Sequence, residues 1–129
     1  MNVLSIVIVV LVVVVGWEVF WYWMGVKPLF PWQLKQNLAR MKQEAELVDV
    51  RTRPEYDLLH ISGVSHQPEL VSDPGAYRPS DPEKPVVVIC MTGHRSPIVA
   101  YRLKKRGIDT VYNLTWGMVG WKLVGGKTK

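Results

Sequence analysis

The sequence predicts an α/β fold, a parallel sheet flanked by helices and preceded by one transmembrane helix. Two observations carry this expectation. Apolar runs of strand length, Glu46 to Val50, Pro85 to Ile89 and Thr110 to Leu114, alternate with stretches of helical spacing. That alternation is the pattern of a parallel sheet covered on both faces. The second observation is the N-terminal run, in which every residue from Val3 to Val15 except Ser5 is Val, Ile or Leu. The chain of 129 residues leaves room for one modest domain beside this segment.

A helix over residues 2–24 would be about 34 Å long, enough to cross a hydrocarbon layer of ~30 Å. Trp17, Phe20, Trp21, Tyr22 and Trp23 close the segment, and Glu18 is its only charged side chain before Lys27. Aromatic residues in that position suit a membrane–water interface belt. A cleaved signal peptide would call for a basic start and a small-x-small cleavage site; bulky aromatics stand there instead. The expectation is an uncleaved single-pass anchor over residues 1–26, a domain over 27–125 and a frayed tail over 126–129. Lys27, Lys35, Arg40 and Lys42 follow the span and no Lys or Arg precedes it, which places the domain on the cytoplasmic side. A single cysteine forms no internal disulfide, in keeping with a reducing compartment.

All 16 basic residues lie after the span. The excess of positive charge suits small anions or an anionic membrane face. No basic stripe interleaved with aromatics follows the span, so nucleic acid is not an expected partner. Lys104-Lys105-Arg106 reads as the last turn of a helix, where cations oppose the dipole.

Element by element, Lys27 to Phe30 reads as a short edge strand. Pro31 starts a helix in which Leu34, Leu38 and Met41 recur at helical spacing through Glu44. Glu46 to Val50 is a buried strand, Pro54 to Leu59 a short helix and Gly63 to Ser65 a short strand. Gln67 to Lys84, rich in proline and polar residues, reads as an irregular surface loop. Pro85 to Ile89 is the clearest strand. Ser96 as N-cap and Pro97 at the first helical position open a helix that Gly107 stops. Thr110 to Leu114 is the last strand. Trp116 to Leu123 is a short helix with Trp121 and Leu123 available for packing.

Cys90 opens the stretch Cys90-Met91-Thr92-Gly93-His94-Arg95-Ser96-Pro97. The thiol therefore stands at the end of a buried strand, beneath a loop that closes on a helix N-terminus. Inward backbone N–H groups and the helix dipole favour an anionic sulfur there, and the thiolate is the reactive form. Asp49 and Arg51 either touch the site or form a buried pair at a strand end. His94 either tunes Cys90 or binds an anion, or is a solvated loop residue. His60 is expected to bond to nearby backbone.

The chain resembles a single-domain rhodanese over roughly residues 28–123. Leu47-Val48-Asp49-Val50-Arg51 followed by Pro54-Glu55-Tyr56, His60-Ile61-Ser62-Gly63-Val64, the Cys90 to Ser96 loop, and Val111 to Leu114 with Gly117-Met118 and Trp121 occur in the family's order. The loop matches Cys-x-x-Gly-x-Arg-Ser at every fixed position.

The resemblance implies sulfane-sulfur transfer from a donor such as thiosulfate or a persulfide to cyanide or a thiol, on a partner protein or a small molecule. Cys90 would be the catalytic nucleophile and persulfide carrier. The N–H groups from Met91 to Ser96, taking in Thr92, Gly93 and His94, would cradle the anion. Arg95 would bind the donor or brace the loop, and Ser96 would cap the helix. No metal or organic cofactor is implied.

Several positions depart from the family pattern, and they bear on the choice of donor. Leu59 and Ser62 replace a glycine and a proline, Ser65-His66-Gln67 is unusually polar, and Trp116-Gly117 stands where many members carry Gly-Gly. Met91 and Thr92 make the loop less cationic. Cysteine phosphatases place five residues between Cys and Arg, whereas four separate Cys90 from Arg95, a cradle small for phosphate. The alternative of another class is a catalytically silent, membrane-tethered binding module. With no second cysteine in the chain, the sulfur must leave to an external nucleophile.

Overall fold

The computed structural model describes residues 2–77, 81 and 83–128. Five parallel strands form one sheet in the order β1-β5-β4-β2-β3: β1 (Val26–Leu29), β2 (Glu46–Asp49), β3 (Ser65–His66), β4 (Val86–Ile89) and β5 (Val111–Leu114). Pro28 sits in β1 at the sheet edge, where a missing N–H leaves no ladder bond unmade. All four residues of β4 are buried, as a continuous apolar run in a doubly covered sheet requires.

Side chains alternate across that sheet. Val48, Val86, Val88 and Val111 face α5 (Ser96–Lys105), packing with Val99 and Leu103. Leu47, Val87, Ile89 and Leu114 face the other way, onto Leu34, Met118 and Trp121. Those three come from α2 (Pro31–Gln36) and α6 (Gly117–Leu123). The same alternation continues past β4 and puts Cys90 in the α5-side core.

Four local features differ from the sequence expectation. The helix starting at Pro31 is two helices, α2 and α3 (Leu38–Glu44), broken at Asn37. The Asn37 side chain donates to the Gln33 carbonyl at 3.0 Å, competing with the helix ladder. The third strand is two residues, Ser65–His66, and shares only Ser65 with the expected Gly63 to Ser65. Leu123 is exposed, and the core takes Met118 and Trp121 from α6 instead. The tail is tied down as far as Lys127, because Gly126 N–H donates to the Trp121 carbonyl and the Trp121 indole donates to the Lys127 carbonyl. Within the expected surface loop, Pro68–Val71 and Pro74–Ala76 form 3-10 turns; residues 78–80 and 82 of that loop, and Lys129 of the tail, lie outside the described residues.

The N-terminal segment is a single helix, α1 (Val3–Trp23), with 21 residues and about 31 Å of length. Its length and composition suffice to cross a membrane, a test that a signal sequence also meets. Its last turns do not form a free aromatic belt. Trp21 packs on the α5-side core, 5.9 Å from the Tyr101 ring, and Trp17 lies 5.8 Å from the His94 ring. Phe20, Tyr22 and Trp23 face outward.

Candidate active site

The site lies at the C-terminal end of β4, the edge at which parallel sheets place their ligands. The chain leaves β4 at Cys90, loops over Met91 to Arg95, and enters α5 at Ser96. The Cys90 side chain is buried beneath the loop. Its Sγ accepts a hydrogen bond from the Gly93 N–H at 3.0 Å and lies 3.3 Å from the Ser96 hydroxyl, to which the thiol donates. The Ser96 hydroxyl in turn donates to Asn113 Oδ1.

Two glycines allow this loop. Gly93 has φ +84, and a Cβ there would stand 2.8 Å from the Trp116 backbone nitrogen. Gly117 has φ +56, and a Cβ there would overlap the Cys90 carbonyl oxygen and come within 2.7 Å of the Met91 carbonyl carbon. That close approach lets the first turn of α6 donate to the loop: Met118 N–H to the Cys90 carbonyl at 2.9 Å and Val119 N–H to the Met91 carbonyl at 3.0 Å. Two donors that a helix start leaves unmatched are satisfied, and two loop carbonyls are held on the α6 side.

Ser96 does not cap α5, contrary to expectation. It is the first helical residue, Arg95 occupies the N-cap position without a side-chain cap bond, and the Ser96 hydroxyl is committed to Cys90 and Asn113. The Arg95 guanidinium lies 3.2 Å from the Glu55 carboxylate. His94 is exposed, hydrogen-bonded to the Thr92 hydroxyl at 2.8 Å.

Asp49 and Arg51 are a fully buried pair at 2.9 Å, and Arg51 also donates to the Glu55 and Leu59 carbonyls. They fix the end of β2 and the course of α4 (Arg53–Leu58). His60 bonds the Tyr56 carbonyl through Nδ1 at 2.9 Å, as expected.

Two residues near the loop, Asn113 and Glu55, escaped the sequence reading of site roles, and a third, Trp116, was marked there only as a departure from the family pattern. Asn113 is a polar residue inside a buried strand, paired in register with Val88, and that burial pattern was its only signal. Glu55 closes a capping box with Thr52 while holding Arg95. Trp116 is the one non-glycine residue with positive φ among the described residues, at φ 61. A left-handed backbone costs a bulky residue about 1–2 kcal/mol.

Burial alone would raise the Glu55 carboxyl; the Thr52 hydroxyl and backbone N–H bonds and the Arg95 ion pair outweigh it and hold the pKa below the usual carboxylate value. A depressed folded pKa contributes stability above the unfolded pKa, and that contribution is lost as pH falls through the folded value. Glu55→Gln is therefore expected to flatten the acid side of the stability profile, below about pH 4. Thermal melts of the two proteins between pH 6 and pH 3 measure this. The effect is small, under about 1 kcal/mol, because the pair is partly solvated.

Beside the loop is a cavity of about 210 Å³ between α1 and the active-loop face, lined by Val13, Val14, Trp17, Glu18, Thr92, Gly93, His94 and Trp116. Gly93 is thus shared between this cavity and the Cys90 sulfur.

A five-stranded parallel sheet with a cysteine loop between strand end and helix defines a thiol-based α/β domain. The chain belongs to the rhodanese family: residues 32–123 match the rhodanese-like domain. It is 34% identical over 84 residues to a thiosulfate sulfurtransferase GlpE of Pseudomonas fluorescens (strain SBW25), covering 65% of this chain and 76% of that protein. A putative sulfur carrier protein, YrkF of Bacillus subtilis, is 33% identical over 99 residues, covering 72% of this chain and 51% of that one. Among solved structures, a rhodanese-related protein from Thermoplasma volcanium superposes with TM-score 0.66 at 20% identity, covering 80% of this chain and 97% of that chain. A Rhodopseudomonas palustris protein described as a possible tyrosine phosphatase superposes with TM-score 0.69 at 20% identity, covering 81% and 85%. At that identity the two structures speak for the shared fold.

Proposed function

We propose that this protein is a membrane-anchored sulfurtransferase in which Cys90 carries the transferred sulfur as a persulfide. The observation that carries the reading is the Cys90 thiol seated under its loop, with the Gly93 N–H 3.0 Å from Sγ. The relatives named thiosulfate sulfurtransferase support it.

The Cys90 thiolate attacks the outer sulfur of thiosulfate. A Cys90–S bond forms, the S–S bond of the donor breaks, and sulfite leaves with the electron pair. In the second half, an acceptor thiolate or cyanide attacks the outer sulfur of the persulfide and regenerates the Cys90 thiolate. Splitting the transfer in two is the advantage of a covalent carrier. Loop N–H groups, held in place by α6, stabilise negative charge on sulfur in both halves. Residues 1–26 supply the anchor and 27–125 the catalytic domain, with the basic flank holding that domain at the cytoplasmic face.

One observation favours a second reading, a silent binding module: the thiol has no exposed surface. Steady-state thiocyanate formation from thiosulfate and cyanide separates the two. A sulfurtransferase gives parallel double-reciprocal lines, the mark of a ping-pong cycle, and the silent module gives no thiocyanate above the Cys90→Ser background.

A further inference from the structure

Contacts along α1 fix its direction relative to the active loop. Trp21 meets Tyr101 midway down α5, while Trp17 meets His94 in the loop, and Val13 and Val14 reach the loop-side cavity. The helix therefore runs alongside α5, and its preceding residues, all apolar but Ser5, extend past the loop on the side where the cavity lies. When that helix enters lipid, the cavity stands at the lipid–water interface.

The cavity has its own chemistry. Val13, Val14, Trp17 and Trp116 make it apolar, and Trp116 holds its position despite an unfavourable backbone conformation. Strain of this kind concentrates at sites that use it. Glu18 adds one carboxyl group to an otherwise mostly apolar lining. A dry cavity of about 150 Å³ takes a benzene ring, so 210 Å³ is room for a one-ring body.

We infer that this cavity is an acceptor subsite for the apolar body of a lipophilic thiol drawn from the membrane interface, whose thiolate then takes sulfur from the Cys90 persulfide. The inference rests on the sulfurtransferase reading. The step is balanced: the thiol gives its proton to water, the acceptor's S–S bond forms as the Cys90 S–S bond breaks, the acceptor becomes a persulfide anion, and Cys90 returns as thiolate with no net oxidation.

The test uses the full chain in lipid nanodiscs, loaded with thiosulfate and freed of excess donor. Loss of the persulfide mass is timed with 2-phenylethanethiol and with 2-mercaptoethanol, alkyl thiols that differ in an apolar ring against a hydroxyl. The expected result is discharge by 2-phenylethanethiol faster by roughly tenfold or more, the worth of one ring removed from water. Val14→Ser and Trp116→Gly, on opposite walls, are each expected to cut that preference several-fold. Since neither changes partition of the thiol into lipid, the drop isolates the cavity. Equal rates in the wild type, or a preference that both variants retain, would overturn the subsite alone. Failure to load Cys90 at all would overturn the transfer reading, and the subsite with it.

Discussion

Arg51→Ala is expected to destabilise the domain by about 3–5 kcal/mol, the cost of leaving a buried carboxylate without its partner. Asp49 and Arg51 have no exposed side-chain surface, and the guanidinium also serves the carbonyls of Glu55 and Leu59. Truncation therefore orphans one charge and two backbone acceptors at once. Against a total stability of roughly 5–15 kcal/mol for a small domain, the loss is a large fraction. Thermal melting should fall by well over 10 °C, at about 4–8 °C per kcal/mol. The loop suffers as well, because Glu55, whose backbone Arg51 holds, is the anchor for Arg95. A change in melting temperature of less than about 4 °C would mean that the pair is not the clamp described.

Gly117→Ala is the second large effect, and it acts on the chemistry. The added methyl would overlap the Cys90 carbonyl oxygen, and the backbone there has positive φ. Neither neighbour is the flexible end of a side chain, so the active loop must move away from α6 and lose the Met118 and Val119 hydrogen bonds. Misplacement of about 1 Å at a reacting centre costs on the order of 100-fold in rate. Thiocyanate formation should fall by at least that factor while circular dichroism still reports a folded domain. Activity within a few-fold of wild type would show that α6 does not set the loop.

The parts of this site that are contiguous in the chain were legible in the sequence. Cys90 to Ser96 is one uninterrupted stretch, its strand is a pure apolar run, and Gly107 marks the end of the helix that follows. The parts that arrive through tertiary packing were not. Asn113 reaches Ser96 because β5 pairs with β4, and Glu55 reaches Arg95 from a helix 40 residues away.

Helix ends were misread where one side chain had two possible bonds. Ser96 prefers Cys90 and Asn113 to its own helix start, and Asn37 breaks a helix that periodicity alone would continue. The aromatic cluster closing α1 was ambiguous for another reason. Tryptophan suits a lipid interface and a protein surface equally, and here the two faces divide the roles: Trp17 and Trp21 pack on the domain while Phe20, Tyr22 and Trp23 stay outside.

That Cys90 carries the sulfur is tested most directly by intact mass. The full chain in nanodiscs is incubated with thiosulfate, freed of it, and weighed before and after cyanide, with Cys90→Ser alongside. The account predicts a gain of one sulfur atom, ~32 Da, on the wild type only, removed by cyanide with release of thiocyanate. A wild type that gains no sulfur from thiosulfate or from a small persulfide donor, or a Cys90→Ser protein that gains it equally, would contradict it.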